Sequence, residues 1–161
     1  MGQYKNITDE QLIEFSGEHL FYEIKMLYGI VDLLSQEKKV SDFYIYNALL
    51  EAAVIHTQII IDFFYMPQMK ADDAKAIHYI KDVKRWKSAL PSYDRYFRKF
   101  NRRRSREVVH LSYSRLDIKG EDKPWYLLKT TTHIKRVVNK FLEHADKERL
   151  HPKMFEFKTA I

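Results

Sequence analysis

Arg102, Arg103 and Arg104 stand in a row, Arg106 follows, and His110 lies four residues further on. A neutral imidazole near pH 7 can relay protons, and guanidinium groups can stabilise charge developing on a phosphate. Cleavage of RNA by its own 2′-hydroxyl needs those two functions and no metal. Arg104 and His110 are therefore the candidate catalytic residues, and Arg102, Arg103 and Arg106 the candidate anion-binding residues. The competing reading is that His110 is a structural histidine, which is the commoner fate of a lone histidine on a helix.

The surroundings favour a polyanion as partner. Residues 84–106 hold ten Lys and Arg against the single anion Asp94, while the rest of the chain has 18 cations and 21 anions, so the formal net charge of +6 is a local property. Such a cluster concentrates polyanions, and Trp86, Tyr93, Tyr96, Phe97 and Phe100 are interleaved with it. RNA is the partner this chemistry suggests. The same pattern also fits a helix with a solvated basic face and a buried aromatic one.

Carboxylates occur on a second expected helix, running from Ser41 or Asp42 to about Tyr65. At 100° per residue, Asn47, Glu51, Gln58 and Asp62 fall within about 40° of one line, and His56 lies about 140° around from Glu51. This stripe is either the solvent edge of the helix or a buried strip, and buried carboxylates need cationic or hydrogen-bonding partners. Arg104 offers such a cation. A helix running unbroken from Tyr93 to Arg115 would turn Arg104 inward, towards Glu51 or Asp62, which join the candidate binding residues. Alternatively, and as the favoured expectation, the helix breaks within residues 101–105 and restarts at Ser105, with Glu107 in the new first turn.

No metal site is expected. Glu107 and His110 have the spacing of one half of a di-metal carboxylate site, but the only other such pair, Glu148 and His151, abuts Pro152. No His-x-x-x-His pair occurs among the seven histidines, so a helical zinc motif is absent from the sequence. No cofactor is expected either.

The elements that must position these groups read as helices. Thr8 and Gln11 form a capping box for a short helix over about 8–16. Leu20, Ile24, Leu27, Val31 and Leu34 predict a second helix over about 18–37. After the 41–65 helix comes a short one capped by Asp72 or Asp73 and ending near Ile80, then a basic connector. Ser92 is the expected cap of the arginine-bearing helix, and residues 116–123 form a loop. Pro124 suits the start of a final helix over about 125–147, with Leu127, Leu128, Thr131, Ile134, Val138, Phe141, Leu142 and Ala145 inward. The tail after Pro152 is expected to hang loose or to pack on a neighbour. No segment reads as a strand. The expectation is an all-α, compact antiparallel bundle of four long helices with one or two short ones, in a single domain spanning residues 1–161, with its bundle over about 18–148.

Length and composition set the outer limits. A chain of 161 residues can bury a core without covalent staples. Absence of cysteine excludes disulfides, thiolate metal sites and cysteine nucleophiles. With 45% apolar and 31% charged residues, disorder and a pure coiled coil fit poorly. Four glycines and four prolines are too few for sandwiches, barrels or a glycine-rich phosphate loop. The apolar run 52–66, interrupted by His56, Gln58 and Asp62, is too short to span a bilayer, and no secretory signal is visible, so a cytoplasmic protein is expected with no membrane partner.

The arginine and histidine residues resemble the signature of the HEPN superfamily, helical bundles of which many act as metal-independent endoribonucleases. Their hallmark is an arginine, four to six residues, then a histidine on a late helix. Arg104 to His110 matches with five intervening residues and Arg103 to His110 with six, and Ser105 would be the polar residue that follows the motif arginine. A broader pattern is similar to small bacterial helical proteins: Glu51, His56 and Asp62-Phe63-Phe64-Tyr65, then His110-Leu111-Ser112-Tyr113-Ser114-Arg115. The resemblance implies a homodimer whose two motifs face one another across a shared cleft. A non-catalytic interaction module, such as one half of a toxin–antitoxin pair bound to a protein partner, is the alternative.

Overall fold

Thr8 opens the first helix as a complete capping box. Its hydroxyl accepts from the Gln11 backbone and the Gln11 side chain accepts from the Thr8 N–H, which satisfies two donors that a helix start otherwise leaves open. A computed structural model of the chain describes residues 7–36, 40–67, 70, 72–104, 107–108, 110–120 and 123–158. The chain is all-α. Among the described residues six α-helices run in the order α1 (Asp9–Phe15), α2 (Phe21–Ser35), α3 (Phe43–Tyr65), α4 (Val83–Ala89), α5 (Arg95–Arg104) and α6 (Leu127–His144), and no strand occurs.

The two helices expected at the N-terminus are one continuous helical rod. A π-helical turn, Ser16–Leu20, carries α1 directly into α2. Its widened geometry packs against a segment near the other end of the sequence. Ser16 Oγ accepts from the His151 N–H at 3.0 Å, and a Cβ on Gly17 would lie only 2.7 Å from the His151 ring. Gly17 is therefore required by close approach.

Asp42 caps α3, its carboxylate accepting from the Ile45 N–H at 2.9 Å. The helix stops at Met66, before Pro67, as the proline demands. Its 23 residues lie mainly against α2 and α6. An 18-residue window of α3 has a mean hydropathy of 1.4 and is 44% buried, which makes it long and apolar enough to cross a membrane by length and composition alone. The run 52–66 read from the sequence is thus the second half of a longer apolar helix.

Between α3 and α5 the chain departs from expectation. Residues 76–79 form a single 3₁₀ turn with no side-chain cap, instead of a helix begun by Asp72 or Asp73. The basic connector is the helix α4, capped by Asp82 and anchored by buried Trp86. Asp94, not Ser92, begins α5 by accepting from the Phe97 N–H at 2.9 Å. Residues 113–117 make a 3₁₀ turn inside the expected loop, and α6 starts at Leu127, after Pro124 and Trp125.

Buried apolar side chains from all six helices form a cluster. At its centre Phe63, Phe64, Tyr79, Trp86 and Phe141 meet edge to face or tilted, with ring centroids 5.0–6.4 Å apart, the arrangement that aromatic quadrupoles prefer. Tyr79 is fully buried and its hydroxyl donates to the Leu12 carbonyl. The residues read as inward on α6 are buried, except Leu128, which is exposed. The segment after Pro152 does not hang loose. It forms a 3₁₀ helix, Pro152–Phe157, with Met154 sealed in the core and Phe157 against Phe21 and Tyr28.

Candidate functional site

Six cations fall within the ten residues of α5, and helical geometry divides them into different jobs. Phe97 and Phe100 face the core, which fixes the rotation of the helix and turns Arg95, Arg98 and Arg102 to solvent. Together with Lys99 and Arg103 these line a groove of about 400 Å³, whose opposite wall is Asp117 and Ile118 from the 3₁₀ turn. Among the described residues, five cations and one carboxylate line this groove. Arg98 is steadied by donating to the Tyr93 carbonyl at 3.0 Å.

Arg103 is the exception among them. It is buried, and its guanidinium grips both oxygens of Glu107 and donates to the carbonyls of Lys123 and Pro124 at 2.9 and 2.8 Å. Its plane also stacks over Trp125, 4.1 Å from the ring centroid. A planar fork with this many partners ties the end of α5 to the entry of α6. In the groove it is a lining residue fixed by Glu107, Lys123 and Pro124, whereas the sequence groups it with the candidate anion ligands.

α5 is described as far as Arg104, residues 107–108 are π-helical and the chain is non-helical from His110 to Ser112, so a continuous helix to Arg115 does not form. Arg104 is half-buried and its Nε donates to Asn101 Oδ1 at 2.9 Å, one turn back on its own helix, instead of reaching Glu51 or Asp62. Ser105 and Arg106, and with them the expected restart cap and one candidate ligand, lie outside the described residues. His110 is exposed, in non-helical chain. Arg115 fastens this stretch, donating to the carbonyls of Glu107 and His110 at 2.8 and 2.9 Å.

The carboxylate stripe of α3 passes from solvent into the protein: Glu51 is exposed, Gln58 buried and Asp62 half-buried. Asp62 accepts from the Gln58 amide at 2.6 Å. It lies on the wall of a second cavity, of about 440 Å³, with Glu23, Asp72, Asp73, His19 and Lys75. The Tyr93 hydroxyl is held above its ordinary pKa by burial first and by the charge of Asp62 second, with Asn101 and Arg104 acting in the opposite sense. Asp62 and Arg104 therefore share an electrostatic neighbour without forming an ion pair.

Two arrangements escaped the sequence. His56 Nδ1 and Glu23 Oε2 lie 2.6 Å apart, between α3 and α2. Pairing across 33 residues leaves no local signal. The second is an aromatic ledge beside the basic groove, where Tyr96 from α5 meets Tyr126 at 6.2 Å between centroids. Lys99 and Lys129 sit 4.9 and 5.5 Å from the Tyr126 centroid, and Arg95 and Lys129 sit 5.1 and 5.6 Å from that of Tyr96. The hydrogen bond from Arg95, ahead of one from Lys129, holds the Tyr96 hydroxyl below its ordinary pKa. Tyr96 was legible as part of the basic run; Tyr126 and Lys129 were not, because they belong to the next element.

Among the described residues no group of three or more His, Cys, Asp or Glu side chains is arranged to hold a metal ion. Compared with protein-family models, curated proteins and solved structures, the chain matches none of them.

Proposed function

We propose that this chain is an RNA-binding protein that holds the phosphate backbone along α5. The observation carrying this reading is the groove that, among the described residues, is lined by Arg95, Arg98, Lys99 and Arg102 and one acidic side chain, Asp117. Phosphate neutralisation by several cations releases counterions, so affinity should fall steeply with salt.

The narrower form of the proposal is HEPN-like, with the antiparallel four-long-helix bundle and the homodimer that this resemblance implies, and with metal-independent cleavage of RNA. His110 would accept the proton of a 2′-hydroxyl as that oxygen attacks phosphorus. The 5′-oxygen would leave by taking a proton from solvent water, the proton gained by His110 would return to solvent, and a 2′,3′-cyclic phosphate would remain, with Arg104 stabilising the charged phosphorane. Exposure of His110 supports this reading. Within one protomer Arg104 is bonded to Asn101, so the dimer is an integral part of the cleavage proposal.

Incubation of the protein with structured RNA in EDTA tests it. Cleavage that falls at least a hundredfold in His110→Ala and in Arg104→Ala, with RNA binding retained, is the expected result. Binding without cleavage removes the enzyme and leaves the RNA-binding protein, and absence of binding at low salt removes both.

A protein-binding module is the second reading, favoured by one specific feature. The first turn of α3 presents Phe43 and Tyr44 at 73% and 80% exposure, with Ile45 and Tyr46 also exposed, and contiguous apolar surface of this kind commonly marks an interaction site. A stoichiometric partner that protects Phe43–Tyr46 from surface labelling would establish it.

A further inference from the structure

We infer that the Tyr96–Tyr126 ledge is a nucleobase-stacking subsite, which makes the preferred ligand single-stranded RNA and not a duplex. The inference rests on the proposed RNA-binding role of the adjoining groove and adds to it a means of reading strandedness. Phosphate cations alone do not distinguish a single strand from a double one, because both carry a charged backbone. Aromatic faces do, because only an unpaired base can leave its stack and lie on a ring.

Three observations converge on the ledge. Tyr96 and Tyr126 lie side by side, their centroids 6.2 Å apart and their planes inclined by 60°, so they form two facets of a corner and not one flat plate. Both rings border a narrow crevice of about 10 Å³ with Lys99, Phe100, Arg103 and Trp125, too small to admit a base, so a base would lie on their outer faces; Lys99 and Arg103 also line the basic groove. Ledge and groove are therefore contiguous, as a base and its own phosphate must be. The side chains over the rings are cations, Arg95, Lys99 and Lys129, at 4.9–5.6 Å from the centroids. Lys129 is exposed and reaches both rings.

An ammonium on a flexible stem holds a ring face weakly, because most of its hydration remains available in water. A base arriving on the ring takes that place, and the displaced ammonium turns to the neighbouring phosphate. The same lysine thus changes partner without losing one. Arg103 has a different part: stacked on Trp125 and locked to Glu107, it keeps the two elements that supply the tyrosines in register.

The test compares a twelve-nucleotide single-stranded RNA carrying 2-aminopurine with the same strand in a duplex, at low salt, using the full chain. Expected are at least tenfold tighter binding of the single strand and quenching of the 2-aminopurine on binding. Tyr96→Leu with Tyr126→Leu should lose about tenfold or more in affinity, and the quenching with it, while the salt dependence stays unchanged. The double Tyr→Phe variant, which keeps the ring faces and the fold, should retain both affinity and quenching. Equal binding of single strand and duplex, insensitive to the leucine variants, would overturn the stacking subsite and leave the phosphate groove standing. No binding of either RNA would overturn the groove and the subsite together.

Discussion

Arg103 shows how one side chain can be misread by its neighbours in sequence. Between Arg102 and Arg104 it looks like one of three equivalent cations, yet it alone is buried, doubly bonded to Glu107 and stacked on Trp125. Truncating one partner of a buried pair leaves the other charge uncompensated, a loss of about 3–5 kcal/mol. Arg103→Ala should therefore lower stability by about 3 kcal/mol in urea unfolding, whereas Arg102→Ala should leave it within about 0.5 kcal/mol and weaken RNA binding instead. Arg103→Lys should recover little, since an ammonium reproduces neither the paired bonds nor the stacking. Sequence periodicity identified the stretch as basic and aromatic. It could not separate these roles, because Arg103's partners Glu107, Lys123, Pro124 and Trp125 come from beyond the helix.

Local signals were legible at several helix ends set by their own residues, although the equally local caps Asp82 and Asp94 were not, a connector and Ser92 being expected in their place. The Thr8–Gln11 box, the Asp42 cap and the stop before Pro67 all depend on groups within a few positions. Elements stabilised from afar were not legible. The turn at 76–79 is held by an isolated antiparallel bridge, Ile80 to Ala145, and by the Asp146 N–H donating to the Tyr79 carbonyl at 2.7 Å. Asp146 also binds Lys81 at 2.9 Å and accepts from the Glu148 N–H at the start of the 3₁₀ turn Lys147–Arg149. The hydrogen bond from Lys81 is the first cause that holds its carboxyl below the ordinary value. A carboxylate favoured in the folded state contributes stability above its unfolded pKa, and that contribution is lost as pH falls through the lower, folded value. Asp146→Asn should thus melt earlier than the parent at pH 7, by about 1 kcal/mol, because Lys81 is 65% exposed and water screens the pair. The two melting curves should converge as the pH is lowered towards about 2.

At the scale of the whole molecule, two hollows carry opposite excess charge among the described residues: cations of α5 with Asp117 line one, and Glu23, Asp62, Asp72 and Asp73 with Lys75 the other. A polyanion is steered by such a field, in a manner that weakens with ionic strength. The apolar start of α3 is a third surface, and its composition makes a separate prediction. Phe43→Ser with Tyr44→Ser removes two exposed rings, so stability should change by less than about 1 kcal/mol in total, while light scattering should show less self-association at high concentration. If the double variant instead unfolded, those rings would have to be part of the core. The helical class was legible because most of the buried surface follows a 3.6-residue repeat. The hollows were not, since each is assembled from segments distant in sequence.

Gly17 and Ser16 meet His151 through a contact too close for any larger residue at position 17, and Met154 and Phe157 then close over the same region. During synthesis the first helix emerges long before these residues are made. Phe21 gains its contact with Phe157 only once residues 152–157 have followed α6. A chain cut short after α6 would therefore leave Phe21 and the Ser16–Gly17 turn without this cover, so the 151–157 segment is the latch over the first rod.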